Sequence, residues 1–309
     1  MNIAHPFLIR ARSHPELNAI THAGHTVLFG DLAKRILGLA GTLQQVKRLK
    51  SGARVLIFME NRREAIEVLF ATWAAGYSAV PVNAKLHPKE IKPIASDCGA
   101  SIIFTSQSLY AALHQELSGG LDHCEILSVD DLEYESNVKH APIVCVDKQP
   151  DDLAWIFYTS GTTGTPKGAM LSHRNLMTMC LQYCADVDQV LPGQTMLHVA
   201  PLSHGSGLYA LPHLFGGGHQ VIESAFTTDI VFESLQRYPE VSIFAAPTML
   251  SRLNRAAHGV NNPAGHLLTV YYGGGPMYVS DLLQTLDLFG PKLFQVYGQG
   301  ESPMTITGL

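Results

Sequence analysis

The stretch Ala154–Gly168, AWIFYTSGTTGTPKG, begins as an apolar run and breaks into glycines, hydroxyl residues and one lysine. AWIFYT, ending at Thr159, reads as a buried strand. The segment that follows cannot continue it. Gly161, Gly164 and Gly168 permit positive φ angles and leave backbone N–H groups unshielded. Ser160, Thr162, Thr163 and Thr165 add hydroxyl donors, Pro166 stiffens the loop, and Lys167 contributes one positive charge. Donors around a single ammonium suit a polyanion such as the β- and γ-phosphates of a nucleotide. The order is not that of a Walker A loop, which runs Gly-Lys-Ser/Thr into a helix. Here Pro precedes Lys167 and Gly follows it, and the helix is expected later, with Ser172 as its N-cap before HRNL.

Outward from this loop, helical and strand patterns alternate. DLAKRILGLAGTLQQV places Leu32, Ile36, Leu39, Ala40 and Leu43 on one helical face. EAIEVLFATWAA does the same with Ile66, Leu69, Phe70 and Trp73, and Gly76 ends it. RVLIFM, SIIFT, EILSV, AWIFYT, TMLHVA, HQVIE, VSIFAA, LLTVYYG and LFQVYG are short apolar runs of strand length. HRNLMTMCLQYCA and DLLQTLDLFG are among the helical segments between them. Buried strands alternating with amphipathic helices imply an α/β fold with mostly parallel sheets. Nine such strands exceed the usual content of one sheet, so two sheets are expected, each flanked by helices. The segment 131–152 is the most polar and is expected to run over the surface.

Composition narrows the function classes. The 309 residues carry a formal net charge of -5 and are 46% hydrophobic, as in a globular protein that buries a large core. The acidic balance argues against a nucleic-acid surface. The longest apolar stretch, VLFATWAAGYSAVPV, is too short and broken to span a bilayer. Five scattered cysteines without a C-x-x-C pair give neither a zinc pattern nor a disulfide framework, and a reducing, cytoplasmic setting is expected. Cys180 and Cys184 lie four apart on an expected helix and are assigned to core packing.

YTSGTTGTPKG resembles the phosphate-binding signature of the adenylate-forming enzymes: acyl- and aryl-CoA synthetases, peptide-synthetase adenylation domains and luciferases. VAPLSHGSGL (199–208), YYGGGPM (271–277) and QVYGQGE (295–301) resemble that family's further motifs, in its order. The amino-terminal segments NAITHAGHTVLFGDLAKRILGLAGTL and GARVLIFMENRREAIEVLFATWAAGYSAVPVNAKLHPKEI resemble its amino-terminal region, so the likeness covers nearly the whole chain.

The resemblance implies a nucleotide site of Thr159, Ser160, Gly161, Thr162, Thr163, Gly164, Thr165 and Lys167, with Gly273, Gly274, Gly275 and Pro276 on the adenine side. A flat base can lie against glycine backbone, and the ring of Tyr297 can stack on a purine. Gly298, Gln299 and Gly300 complete that motif. Glu301, by resemblance, helps hold Mg²⁺, which bridges phosphate oxygens. His204 borders the carboxylate substrate, with Gly205, Gly207, Pro247 and Thr248 around the acyl pocket; the two glycines are expected to leave room for the acyl group. Lys167, His204 and Glu301 are the residues assigned to catalysis. Two positions depart from the family pattern. Gly300 stands where a threonine would contact the α-phosphate, a loss on the order of 1 kcal/mol. Ser203 stands where an aromatic often precedes the histidine.

The implied architecture is the amino-terminal domain of these enzymes, two mostly parallel sheets flanked by helices, without the β-barrel end and the carboxy-terminal domain. Residues 52–188 are expected to form one α/β subdomain, and 1–51 with 189–309 the other. The implied reaction activates a small carboxylic acid with ATP and Mg²⁺, then transfers the acyl group to coenzyme A. The family's Thr-Gly-Asp string does not occur in the chain, so residues 1–309 are expected to act as a binding core with little adenylation of their own. A non-catalytic nucleotide- or acyl-binding module and a peptide-synthetase adenylation domain stay open as alternatives, although GQGESPMTIT favours a CoA ligase. The acid, the acceptor thiol and a homodimeric state also stay open.

Overall fold

The computed structural model describes residues 1–118, 124–159, 166–257 and 259–308. In chain order the elements are α1 (His5–Ser13), β1 (Asn18–His22), β2 (His25–Leu28), α2 (Phe29–Gly41), β3 (Arg54–Phe58), α3 (Arg63–Ala74), β4 (Ser78–Val82), α4 (Pro88–Cys98) and β5 (Ala100–Thr105). They continue with α5 (Gln107–Leu117), β6 (Glu125–Ser128), α6 (Leu132–Asn137), β7 (Leu153–Thr159), β8 (Lys167–Ser172), α7 (His173–Gln182), β9 (Thr195–His198), α8 (Gly205–Gly216) and β10 (His219–Ile222). The last are α9 (Thr228–Arg237), β11 (Val241–Ala245), α10 (Pro247–Ala256), β12 (Leu267–Tyr272), α11 (Val279–Phe289), β13 (Leu293–Gln299) and β14 (Ser302–Gly308). Single π-helical turns extend α2 over Thr42–Val46 and α7 over Tyr183–Val187. All nine expected strands are present. The chain forms two compact units, Met1–Pro15 with Phe29–Thr178, and Glu16–Leu28 with Met179–Leu309.

The first unit holds a six-stranded sheet in the order β6-β5-β3-β4-β7-β8, parallel except for β8. Its strands are apolar on both sides because helices cover both faces. Leu56, Phe58, Val80 and Ile103 meet Ile94 of α4 and Leu113 of α5 on one face. On the other, ring contacts run from Phe29 through Phe7, Phe70 and Trp73 to Trp155. The expected face of α2 is buried in full. α3 is buried nearly all round, Glu67 included.

The expected subdomain boundary is corrected here: α1 and α2 belong with the first unit, and only 16–28 from the amino-terminal segment join the second. The physical reason is packing, since Phe7 of α1 and Phe29 of α2 join the ring cluster of Phe70 on α3, together with an ionic cluster around the buried Glu67 that ties α2 to α3 and α6. Arg35 of α2 donates to both oxygens of Glu67 at 2.7 and 3.1 Å, Tyr134 of α6 donates to Glu67 at 2.8 Å, and Arg35 also reaches Glu135. Against the lowering that burial imposes, bonds to Glu135 and Glu67 hold the Arg35 pKa above its ordinary value. A buried carboxylate needs such partners. The polar segment 131–152 is therefore not wholly a surface loop. Tyr134 is buried, and the chain beyond it crosses α2 so closely that a Cβ on Gly38 or Gly41 would lie 2.3 or 2.4 Å from a carbonyl of Val138 or Ala141.

The second unit holds an eight-stranded sheet in the order β14-β13-β12-β11-β9-β10-β1-β2. The six inner strands are parallel, and β2 and β14 run antiparallel at the edges. α9, α10 and α11 cover one face through Val231, Leu235, Leu250, Leu253 and Phe289. α8 packs on the other, where Tyr209 stacks between Phe244 and Tyr271. Cys180 is buried as expected, but Cys184 is exposed, outside the face formed by Leu176, Met179, Cys180 and Tyr183.

Candidate active site

The segment between Thr159 and Lys167 joins two antiparallel strands. β7 and β8 pair to their ends, with Thr159 opposite Lys167. Ser160, Gly161, Thr162, Thr163, Gly164 and Thr165 lie outside the described residues. β8 was not expected; the sequence alone placed loop between the lysine and the next helix. Lys167 is exposed at the first position of β8, at the carboxyl end of β7. Gly168 proves to be a packing glycine. A Cβ there would lie 2.6 Å from Ile156 and 3.0 Å from the ring of Tyr158. Ser172 caps α7 as expected: its Oγ accepts from the Asn175 N–H at 3.2 Å, and Asn175 Oδ1 accepts from the Ser172 N–H at 2.9 Å.

In the second unit the remaining motifs share one edge of the sheet. They follow the carboxyl ends of β9, β11 and β12, or lie on β13 and its turn. From β9 the chain passes through α8 to β10 on one side, then returns through α9 to β11 on the other. The loops after β9 and β11 therefore diverge at a switch point, where open α/β sheets bind ligands. His204 stands beside it as the N-cap of α8. Its Nδ1 lies 2.8 Å from Ser203 Oγ, and burial lowers its pKa, which favours the neutral ring.

The two glycines near His204 differ in what surrounds them. A Cβ on Gly207 would lie 1.8 Å from the Leu202 carbonyl oxygen, and one on Gly205 would lie 3.3 Å from the ring of Phe244. The absent side chain of Gly207 is replaced by the backbone of Leu202, so that glycine does not hold space open for an acyl group, whereas a Cβ on Gly205 would meet only the ring edge of Phe244.

Pro247 begins α10 immediately after β11, and its Cδ lies 4.0 Å from the Cβ position of Gly275. The turns after β11 and β12 are thus brought together, with Thr248 and Pro276 both exposed. The three glycines after β12 divide. Gly273 is buried, its Cβ position 2.3 Å from the Val296 carbonyl, whereas Gly274 takes φ +79 and has open space. Only Gly274 and Gly275 present backbone outward.

Tyr297 is 51% exposed within β13, and Gln299 Nε2 donates to its hydroxyl at 2.9 Å. β13 continues into a hairpin with β14, so Gly300 and Glu301 form the turn between Gln299 and Ser302. Gly298 sits at a bulge, where a Cβ would lie 2.3 Å from the Met304 N. Glu301 is an exposed carboxylate. Among the described residues no group of three His, Cys, Asp or Glu side chains is gathered as for a protein-enclosed metal. A single carboxylate fits Mg²⁺, which takes most of its ligands from water and substrate phosphates. A cavity of about 420 Å³ with no counterpart among the sequence motifs lies between the π-helical turn and the β13–β14 hairpin, walled by Phe294, Val296, Met304 and Ile306 and edged by Asp186. No local motif marks it, because its walls come from three segments.

Loops gathered at the carboxyl ends of the parallel strands of the second unit are those of a doubly wound α/β protein, a class that binds ligands at such a switch point. A profile of the AMP-binding enzyme family matches residues 7–308, and the chain belongs to that family. A feruloyl-CoA synthase of an Amycolatopsis species is 30% identical over 295 residues, covering 95% of this chain and 58% of the relative. A medium/long-chain-fatty-acid–CoA ligase of Mycobacterium tuberculosis is 26% identical over 323 residues, covering 98% and 55%. The chain therefore spans less than two thirds of these relatives. The ATP-bound crystal structure of MatB from Rhodopseudomonas palustris superposes with a TM-score of 0.87 at 26% identity, covering 100% of this chain and 62% of that one. Among the described residues no helix is long and apolar enough to cross a membrane.

Proposed function

We propose that this chain is the nucleotide- and acyl-binding core of an acyl-CoA ligase, which activates a carboxylic acid as its acyl-adenylate and passes the acyl group to coenzyme A. The observation that carries this reading is the family match over residues 7–308, with the second unit's motif residues along one sheet edge. Two relatives, one named as a feruloyl-CoA synthase and one as a fatty-acid–CoA ligase, support it. Because the chain spans 58% of the feruloyl-CoA synthase, the complete two-step activity is proposed for a polypeptide that includes these residues.

Each side chain has a role that its setting permits. Lys167, exposed at the carboxyl end of β7, contributes a charge toward the outgoing phosphates, with the hydroxyl residues Ser160, Thr162, Thr163 and Thr165. Gly274, Gly275 and Pro276 offer backbone to the adenine, and the exposed ring of Tyr297 offers a stacking face. Glu301 would hold Mg²⁺, which supplies charge neutralisation at the phosphates when bound. His204, kept neutral by burial, orients the carboxylate by hydrogen bonding without fixing it in an ion pair. Catalysis of this kind is positioning and electrostatic stabilisation, with no covalent enzyme intermediate required.

The test is acid-dependent pyrophosphate release from ATP across a panel of aryl, short and long aliphatic acids, followed by transfer to coenzyme A. The assay uses a polypeptide of the relatives' full length that includes these residues, and release that no acid stimulates there would refute the reading. Lys167→Ala should weaken ATP binding about 10- to 100-fold, the worth of one charge-assisted hydrogen bond. Its melting temperature should not change, because Lys167 is exposed. Unchanged ATP affinity would remove Lys167 from the phosphate role.

A further inference from the structure

We infer that His198, buried in the last position of β9, is the positioning residue for the His204 loop, acting through Ser206. The inference rests on the reading of His204 as an acid-side residue. His198 is 0% exposed and both its ring nitrogens are engaged. Its Nε2 lies 2.9 Å from Gln220 Oε1, and its Nδ1 lies 2.8 Å from Ser206 Oγ.

The direction of each bond follows from the partners. Gln220 Nε2 donates to the Gly218 carbonyl at 2.9 Å, which leaves Oε1 facing His198 as acceptor. His198 must then carry its proton on Nε2, and its Nδ1 accepts from the Ser206 hydroxyl. Burial holds the His198 pKa down at about 4, so this pattern persists through neutral pH.

Ser206 lies in the first turn of α8, two residues after His204, and is buried. The His198–Ser206 bond closes the base of the loop 199–205. Inside that loop the Leu202 carbonyl seats over Gly207, and the His204 carbonyl accepts from the Gly207 N–H at 3.1 Å. His204 is therefore carried on a turn pinned at its base by a side-chain bond of defined direction. A neutral core imidazole bonded on both sides is more than the strand requires. The neighbouring inward positions on β11 and β12 are filled by Phe244 and Tyr271, whose rings stack on Tyr209.

The test compares binding of AMP with binding of acyl-sulfamoyl adenosines carrying acetyl, benzoyl and dodecanoyl groups, by calorimetry on the 309-residue chain. The intact chain should bind its preferred acyl analogue at least about tenfold tighter than AMP. His198→Leu should abolish that gain and leave AMP affinity within about twofold. His198→Asn, whose Oδ1 replaces Nδ1 as acceptor, should keep most of it. Ser206→Ala removes the same bond from the other end and should reproduce His198→Leu, which keeps the question answerable if the leucine variant folds poorly. Equal loss of AMP and acyl binding, or no loss of the gain in Ser206→Ala, would overturn the positioning role. His204→Ala separates the two readings. If it leaves the acyl gain intact, the acid-side reading of His204 fails and the inference with it. If it abolishes the gain while His198→Leu does not, the positioning inference alone fails.

Discussion

Gly207→Ala is the sharpest test of the loop that carries His204. The added Cβ would lie 1.8 Å from the Leu202 carbonyl oxygen and 2.7 Å from its carbon. Carbon and carbonyl oxygen normally approach no closer than about 3.3 Å. The two backbone segments must therefore part by roughly 1.5 Å, and neither is a flexible side-chain end that can swing aside. Overpacking of this kind costs about 3 kcal/mol. Replacing glycine by alanine within a helix returns up to about 1 kcal/mol. The net loss is about 2 kcal/mol, which lowers the melting temperature by roughly 3 °C for a chain of this size. Gly205→Ala is the matched control. Its Cβ would meet only the edge of the Phe244 ring at 3.3 Å, and a ring can rotate. Its melting temperature should stay within about 2 °C of wild type. Both variants are read by thermal unfolding followed by circular dichroism, with acyl-analogue binding measured alongside. Equal melting temperatures for the two variants would refute the argument that Gly207 is fixed by Leu202.

Two further outcomes follow from the buried polar groups. His198 has its pKa depressed from 6.5 to about 4 by burial, and burial likewise depresses His213, which is also fully buried. A depressed histidine pKa means that the folded state wants the neutral ring. The stabilisation, on the order of 3 kcal/mol for His198, is fully present above pH 6.5 and is lost as the pH falls toward 4. The urea midpoint should fall steadily between pH 7 and pH 5, and a flat midpoint would contradict it. Glu67→Gln leaves Arg35 and Arg63 without their shared buried carboxylate, 2.7 and 3.0 Å away. It should cost about 3 kcal/mol in denaturant unfolding, because one partner of a buried pair remains uncompensated. A loss under about 1 kcal/mol would show that Glu135 alone satisfies Arg35.

Several parts of this molecule were legible from local pattern. The faces of α2 and α3 follow a 3.6-residue apolar period, and every residue assigned to them is buried. Ser172 was readable as a cap because a serine before HRNL has few other local uses. Lys167, His204 and the glycine turn were found through their motifs, which are contiguous strings. Residues such as Phe244, His198 and the cavity wall of Phe294 and Val296 carry no string. Their significance depends on neighbours supplied by other strands and helices.

What the sequence determined by itself was the alternation of strand and helix, the strand count that demanded two sheets, and the order of the family's motifs. Periodicity and turn chemistry are local, so short windows contain them. Tertiary structure alone decided the partition of the amino-terminal segment. β1 pairs with β10, about two hundred residues away, while α2, which follows almost at once, is held in the first unit by Glu67. It also decided what the glycines are for. Gly207 and Gly273 looked like space left for ligands, but their missing side chains make way for the backbone of Leu202 and Val296. A sequence shows that a side chain is absent; only the packed chain shows what takes its place.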